Sequence, residues 1–187
     1  LLNYAFFVEE VCLTYNGKEK ANVFIYHQLD FSDQKALIIQ PNLSYVGNSG
    51  ELNVVETYRL HGDGSLFSNM VSRSHVAANA SVNITKTQHF SDDHIIVDNS
   101  IATQDRDSRF YINTFSFSGK LVRNNLQIAQ EDENSESHML GLYLLDGKSH
   151  IDNHTAIDHK HANSYSNELY KGIVDDRSRA VFNGKIF

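Results

Sequence analysis

Four histidines fall within twelve residues in the stretch HIDNHTAIDHKH, at His150, His154, His159 and His161, with Asp152 and Asp158 between them. Imidazole and carboxylate groups at this density are the raw material of a transition-metal site or of acid–base chemistry. Spacing limits what they can do. On an extended strand, residues two apart are roughly 6.6 Å apart at Cα and residues four apart roughly 13 Å. His150 and His154 therefore cannot share a metal without help from elsewhere. His159 and His161 can supply two ligands near a strand end, but a third or fourth has to come from a neighbouring coil of chain. Parity puts His150, Asp152 and His154 on one face, and Ile151, Asn153, Thr155, Ile157 and His159 on the other. This favours a structural role. His159 is expected beside Ile157, partly buried and hydrogen-bonded through its ring, with His150, Asp152 and His154 forming a solvated face.

Other candidate groups read the same way. Asp92-Asp93 and Asp175-Asp176 are adjacent carboxylates, but neighbours on a strand point to opposite faces, so each pair is expected in a turn. Lys171-Gly172 and Asn183-Gly184 read as turns or bends. No G-x-S-x-G elbow, P-loop or dinucleotide fingerprint is present. Cys12 is the single cysteine, so no disulfide can form within the chain, and an iron–sulfur cluster, which usually takes four ligands, cannot be held by it alone.

The elements that position these groups follow from composition and pattern. With 187 residues, 41% apolar and 21% charged, the chain has the balance of one globular domain. A net charge of −7 without a Lys/Arg cluster argues against a nucleic-acid groove or a membrane-binding patch. No run approaches the ~18 apolar residues of a membrane span. The start, LLNYAFFVEEVCL, has Glu9 and Glu10 within its apolar run and makes a poor signal peptide. Four N-x-S/T sequons, at Asn42, Asn79, Asn83 and Asn153, are the chance matches expected in an Asn-rich chain. These features fit a reducing, cytoplasmic location. The absence of an initiator Met and the strand-like ending AVFNGKIF suggest a piece of a longer protein, truncated at both ends.

Twelve β-prone runs, from ANVFIYHQL to RAVFNGKIF, alternate with breaks such as VGNSG, SDD, DGK and DDRS, with no helical pattern between them. Strands recurring every ~10–15 residues fit two architectures, a β-sandwich or a right-handed parallel β-helix with two or three short strands per coil. Asn83, Asn113 and Asn153, read as inward-facing, favour the β-helix, in which polar side chains can ladder between coils.

One stretch carries more. GLYLLDGKSHIDNHTAIDHKHANSYSNELYKGIVDDRSRAVFNGKIF, Gly141 to Phe187, contains Asp152-Asn153-x-Thr155, then His159, Ser166, Tyr170-Lys171-Gly172, Asp175 or Asp176, and Val181 to Ile186. It closely resembles the core domain shared by SufB and SufD, scaffold subunits of an iron–sulfur cluster assembly machine. Gly50–Tyr58 and Leu121–Ile128 also resemble that family, so the likeness covers nearly all of residues 1–187 as one domain. The D-N-x-T and AVFNGKI forms look like SufD rather than SufB.

The resemblance implies an all-β fold, a right-handed parallel β-helix built as a single-stranded solenoid. It implies a non-catalytic cytoplasmic scaffold that pairs with SufB and the ATPase SufC. It implies no cofactor bound by this chain alone, with an iron–sulfur cluster held transiently in the full complex. The family's Cys/His motif and its SufC-docking region lie downstream of the VFNGKI motif, and Cys12 matches no family motif. The motif residues Asp152, Asn153, Thr155, His159, Lys171, Gly172, Phe182 and Gly184 are expected to be structural. The competing classes are a β-helix enzyme acting on polysaccharide and a carbohydrate-binding β-sandwich.

Because only His159 and His161 have usable spacing, titration of the chain with Zn²⁺ or Fe²⁺ should reveal no stoichiometric site tighter than roughly micromolar. A tight one-to-one site that disappears in His159→Ala would contradict this.

Overall fold

Strand-prone runs without helices can satisfy their backbone groups only by pairing with one another. The computed structural model describes residues 10–30, 35–61 and 64–187, and among them thirteen strands form. They are β1 (Val11–Tyr15), β2 (Lys20–Asp30), β3 (Ala36–Val46), β4 (Glu51–His61), β5 (Leu66–Val76), β6 (Ser81–His89) and β7 (His94–Gln104). They continue with β8 (Arg109–Ser118), β9 (Leu121–Gln130), β10 (Glu136–Leu145), β11 (His150–His159), β12 (Tyr165–Val174) and β13 (Arg179–Ile186). The opening LLNYAFFVE segment and the Gly62-Asp63 break lie outside the described residues.

Odd-numbered strands make one sheet in the order β1-β3-β5-β7-β9-β11-β13, and even-numbered strands make the other, β12-β10-β8-β6-β4-β2. Every pairing is parallel, with partners from 26 residues apart (Ile95 with Leu121) to 31 apart (Val11 with Asn42). Each coil gives one strand to each sheet. The strand in the facing sheet is thus the crossover that a parallel pair needs. The chain is a parallel β-helix with two strands per coil, and strand direction rules out the antiparallel sandwich. The twelve runs read from the sequence correspond to β2 through β13; the five-residue β1, VCLTY, was not among them.

The corners explain the turn residues. Between each odd strand from β3 to β11 and the next even one, a single residue takes positive φ: Ser49, Asn79, Asp107, Asn134 and Asn163. Ser, Asn and Asp bear this conformation at low cost. The corners stack through their backbones. The amides of Ser49, Asn79 and Asp107 donate to the carbonyls of Ala78, Arg106 and Glu133, each at 3.0 Å. Asp92-Asp93 and Asp175-Asp176 both lie in turns, and Asp176 has φ 56°.

Two expectations need correction. Of the three asparagines read as inward, only Asn153 is; Val82, Phe110 and Ile112 occupy the inner face, so alternation turns Asn83 and Asn113 outward. There they form a ladder on the outer surface, Asn113 Nδ2 donating to Asn83 Oδ1 at 3.0 Å. Lys171-Gly172 and Asn183-Gly184 are not turns but lie within β12 and β13. Gly172 shares the inward parity of Tyr143, its partner in register, and the Tyr143 ring fills the space where its side chain would be, so a Cβ there would clash with the ring. Gly141 does the same for Tyr170, whose ring a Cβ would strike.

Tyr170 cannot keep its place if Gly141 gains a side chain. Gly141→Ala should therefore cost about 1–3 kcal/mol by overpacking, read from the midpoint of urea unfolding. Combined with Tyr170→Leu, the loss should be smaller than the sum of the two single changes, because they share one space. Strict additivity would refute this account of the glycine.

Candidate functional site: a polar seam inside the coil

Two apolar clusters fill the interior. One gathers Val46, Val54, Val76, Val82, Phe110 and Ile157; the other gathers Leu66, Met70, Ile96, Val122 and Ile151. A band of polar side chains also points inward, among them Glu56, Lys86, Gln88, Asp98, Ser116, Asn153 and Thr155, all buried.

Lys86 is its centre. On β6 it follows Val82 and Ile84 at even spacing, so the alternation that buries Val82 carries Lys86 inward, where it is 2% exposed. Its Nζ lies 3.1 Å from Asp98 Oδ2 on β7, across the interior, and 3.7 Å from Glu56 Oε2 on β4, one coil back in its own sheet. It also donates to Ser100 Oγ at 2.8 Å. Glu56 Oε1 is 2.9 Å from His27 Nε2 and accepts from the Tyr58 hydroxyl at 2.6 Å. The Tyr58 ring stacks on His27, centroids 4.4 Å apart.

Burial alone would push the Glu56 carboxyl up. The Lys86 ammonium and the hydrogen bonds from His27 and Tyr58 outweigh it and bring the group down from 4.5 to about 2. For Lys86, burial works to lower the pKa, and Asp98 and then Glu56 more than offset it, so the ammonium is held above its ordinary value.

The seam runs on along the axis. Gln88 Nε2 donates to Asn124 Oδ1 at 2.9 Å and Asn124 Nδ2 donates to Asn153 Oδ1 at 2.9 Å, while Ser116 Oγ donates to Gln88 Oε1 at 2.7 Å. Nearer one corner, Gln104, Gln130 and His159 stand in register. Gln130 Nε2 lies 3.0 Å from Ser137 Oγ, and His159 Nε2 lies 2.9 Å from Ser166 Oγ.

The motif residues occupy defined places in this frame. Asn153 ends the amide ladder, and His159 is the third member of the corner column. Thr155 is buried between them. Asp152 faces out, 2.5 Å from Arg123 Nη1 and 2.8 Å from His154 Nε2. Lys171 is exposed on the outer face of β12. Gly172 seats the Tyr143 ring, Phe182 packs its ring 4.8 Å from that of Tyr170, and Gly184 faces Thr155. His161 is exposed in the turn after β11, and Cys12 is an exposed free thiol on β1. Among the described residues, no three His, Cys, Asp or Glu side chains converge as a metal-ligand set, and no helix is long and apolar enough to cross a membrane.

Glu56, Lys86 and Asp98 were not singled out from the sequence. The signal was there: each sits two positions beyond an inward apolar residue, Val54, Ile84 and Ile96.

The architecture defines a class, the parallel β-helices with two strands per coil. Within it, residues 30–187 match the family model of the SufBD core domain of SUF-system FeS cluster assembly, and the chain belongs to that family. An iron–sulfur cluster assembly SufBD family protein of Synechocystis is 29% identical over 163 residues, covering 82% of this chain and 36% of that protein. The iron–sulfur cluster assembly protein SufD of Escherichia coli is 26% identical over 148 residues, 75% of this chain and 33% of that protein. A SufBD family protein of Mycobacterium leprae is 28% identical over 125 residues, 67% and 31%. The chain thus spans about a third of the length of these relatives. No solved structure matches it.

Removing Lys86 strands two buried carboxylates. Lys86→Met should destabilise by about 3–5 kcal/mol, and adding Glu56→Gln and Asp98→Asn should recover much of that, both read by denaturant unfolding. The Glu56 carboxyl is lower in the folded chain than in the unfolded one, so the unfolded state binds more protons in acid. The stability it contributes is therefore complete above about pH 4.5 and lost as pH falls toward about 2. Glu56→Gln should flatten the stability–pH profile across that window; an unchanged slope would contradict the assignment.

Proposed function

We propose that the chain acts in iron–sulfur cluster assembly as a SufD-like scaffold, non-catalytic and cytoplasmic, that pairs with a SufB-like subunit and a SufC-like ATPase. The observation that carries this reading is the family match across residues 30–187. Relatives named SufD support it. The chemistry of the seam favours a scaffold over a catalyst, because Lys86, Glu56, Asp98 and the amides bond chiefly to one another. The polysaccharide-enzyme reading loses its adjacent carboxylates, since both Asp pairs lie in turns. The cluster is cargo of the assembly in this account and is not held by this chain alone.

The described coils end in edges suited to pairing. β12 and β13 are the outermost strands of their sheets, and Ile173, Val181, Phe182 and Ile186 are exposed on them. Unpaired strand edges recruit further strands; in the whole protein, coils beyond Phe187 would extend these sheets and pair with a SufB-like subunit by β-augmentation.

Co-expression with SufB-like and SufC-like partners followed by affinity capture tests the proposal. A whole SufD-like protein should recover both. The chain of 187 residues should recover the SufB-like partner weakly at most and the SufC-like one not at all, and should self-associate through its β12–β13 end. Robust SufC-like capture by the chain would overturn the docking assignment. No SufB-like capture by the whole protein would overturn the SufD-like reading.

A further inference from the structure

The odd-numbered strands thin out on their inner face over three successive coils. One inward column runs Ser44, Ser74, Ala102 and then Ile128 and Ile157. The next runs Asn42, Ser72, Ser100 and then Leu126 and Thr155. β9 thus fills both positions with large apolar side chains, whereas β3, β5 and β7 leave them small or polar. Facing them on the even sheet are Val54, Ile84 and Ile112, an ordinary apolar column that does not grow to compensate. The result is a cavity of about 50 Å³ inside the coil, lined by both sets of residues, with Leu126 where the columns thicken again. Most of its walls are apolar, but Glu56 and Lys86 also border it.

The polar groups around this cavity are unevenly provided for. The Ser72 hydroxyl is buried and has no hydrogen-bond partner among the described residues. Its neighbours in the column do have partners: Asn42 donates to Glu56 Oε1 at 3.3 Å, and Ser100 Oγ accepts from Lys86 Nζ at 2.8 Å. Lys86 Nζ is 3.7 Å from Glu56 Oε2, too far for a direct hydrogen bond and a separation that a shared water closes. We propose that the cavity binds a small cluster of ordered water, which completes the hydrogen bonds of Ser72 and bridges Lys86 to Glu56. At ~10–15 Å³ for each molecule there is room for about three. Charge points the same way. Glu56 and Asp98 together outnumber Lys86, which disfavours an anion, and the Lys86 ammonium repels a metal ion. A neutral molecule that donates and accepts at once suits a hydroxyl, an ammonium and a carboxylate together. Ser72 and Ser74 thus hold open, and line with hydroxyls, a space that Leu126 and Ile128 fill two coils later. This inference rests on the fold and is independent of the proposed scaffold role.

The test pairs a high-resolution crystal structure of the protein with NMR of its methyl groups under xenon pressure. Xenon enters dry apolar cavities, whereas ordered water keeps it out of hydrated ones. Ordered water should appear within hydrogen-bonding distance of Ser72 Oγ and between Lys86 Nζ and Glu56 Oε2. The methyl groups of Val54, Ile84 and Ile112 should not shift with xenon. In Ser72→Ala, a change small enough to leave the fold intact, the water at position 72 should be lost while the one between Lys86 and Glu56 stays. Saturable xenon shifts of those methyl groups would show the cavity to be dry and would overturn the proposal. So would a wild-type crystal with no ordered water at Ser72, or a water at position 72 that persists unchanged in Ser72→Ala.

Discussion

Parallel stacking in register governs the rest of this molecule. An inward side chain lies beside the residue one coil before it and the residue one coil after it, and the two-residue alternation of a strand leaves no other arrangement. A column is therefore the working unit of the interior. Val23, Val54, Ile84, Ile112 and Met139 form one, and the corner residues with positive φ form another. Glycines enter where a ring from the adjoining coil needs the room, as Tyr170 does over Gly141 and Tyr143 over Gly172.

The buried ions obey the same constraint and sharpen it. Replacing Lys86, Glu56 and Asp98 with apolar residues of similar size would cost little stability, since burying charge consumes most of what the ion pair returns. What the ions add is discrimination between registers. A slip of one residue along β6 would turn Lys86 into solvent, and a slip of two would carry it past Glu56, leaving that carboxylate buried without its cation. Apolar columns tolerate a two-residue slip far better, because Val54 and Ile84 are nearly interchangeable neighbours.

Much of this was legible in the chain. The breaks VGNSG, DGK and DDRS marked corners, and alternation in HIDNHTAIDH placed Ile151, Asn153, Thr155 and Ile157 inside. What escaped had specific causes. Asn83 and Asn113 were read as inward, although Val82, Phe110 and Ile112 beside them had already claimed that face. Gly172 and Gly184 looked like turn residues because what crowds them, the Tyr143 ring for Gly172 and Glu168 and Thr155 for Gly184, comes from other strands, and local sequence does not show those contacts. The seam escaped for the same reason: Lys86, Asp98 and Glu56 meet only once two strands stack and a third faces them. The family motif was visible in the last coils, while the chemistry of the interior lies largely in the coils before them.

The reach of the amide ladder has a consequence for how the molecule comes apart. A solenoid in which each coil touches only its neighbours behaves as a one-dimensional array and can lose coils singly from its ends. Here side chains from β4, β6, β7, β9 and β11 share one continuous chain of bonds, from Glu56 through Lys86, Asp98, Gln88 and Asn124 to Asn153. Opening any of these coils strands polar atoms in the others, so the middle of the array is bound into one cooperative block. Exchange of backbone hydrogens would thus be slow and uniform across β4, β6, β7, β9 and β11, a shared protection set by polar groups within the interior.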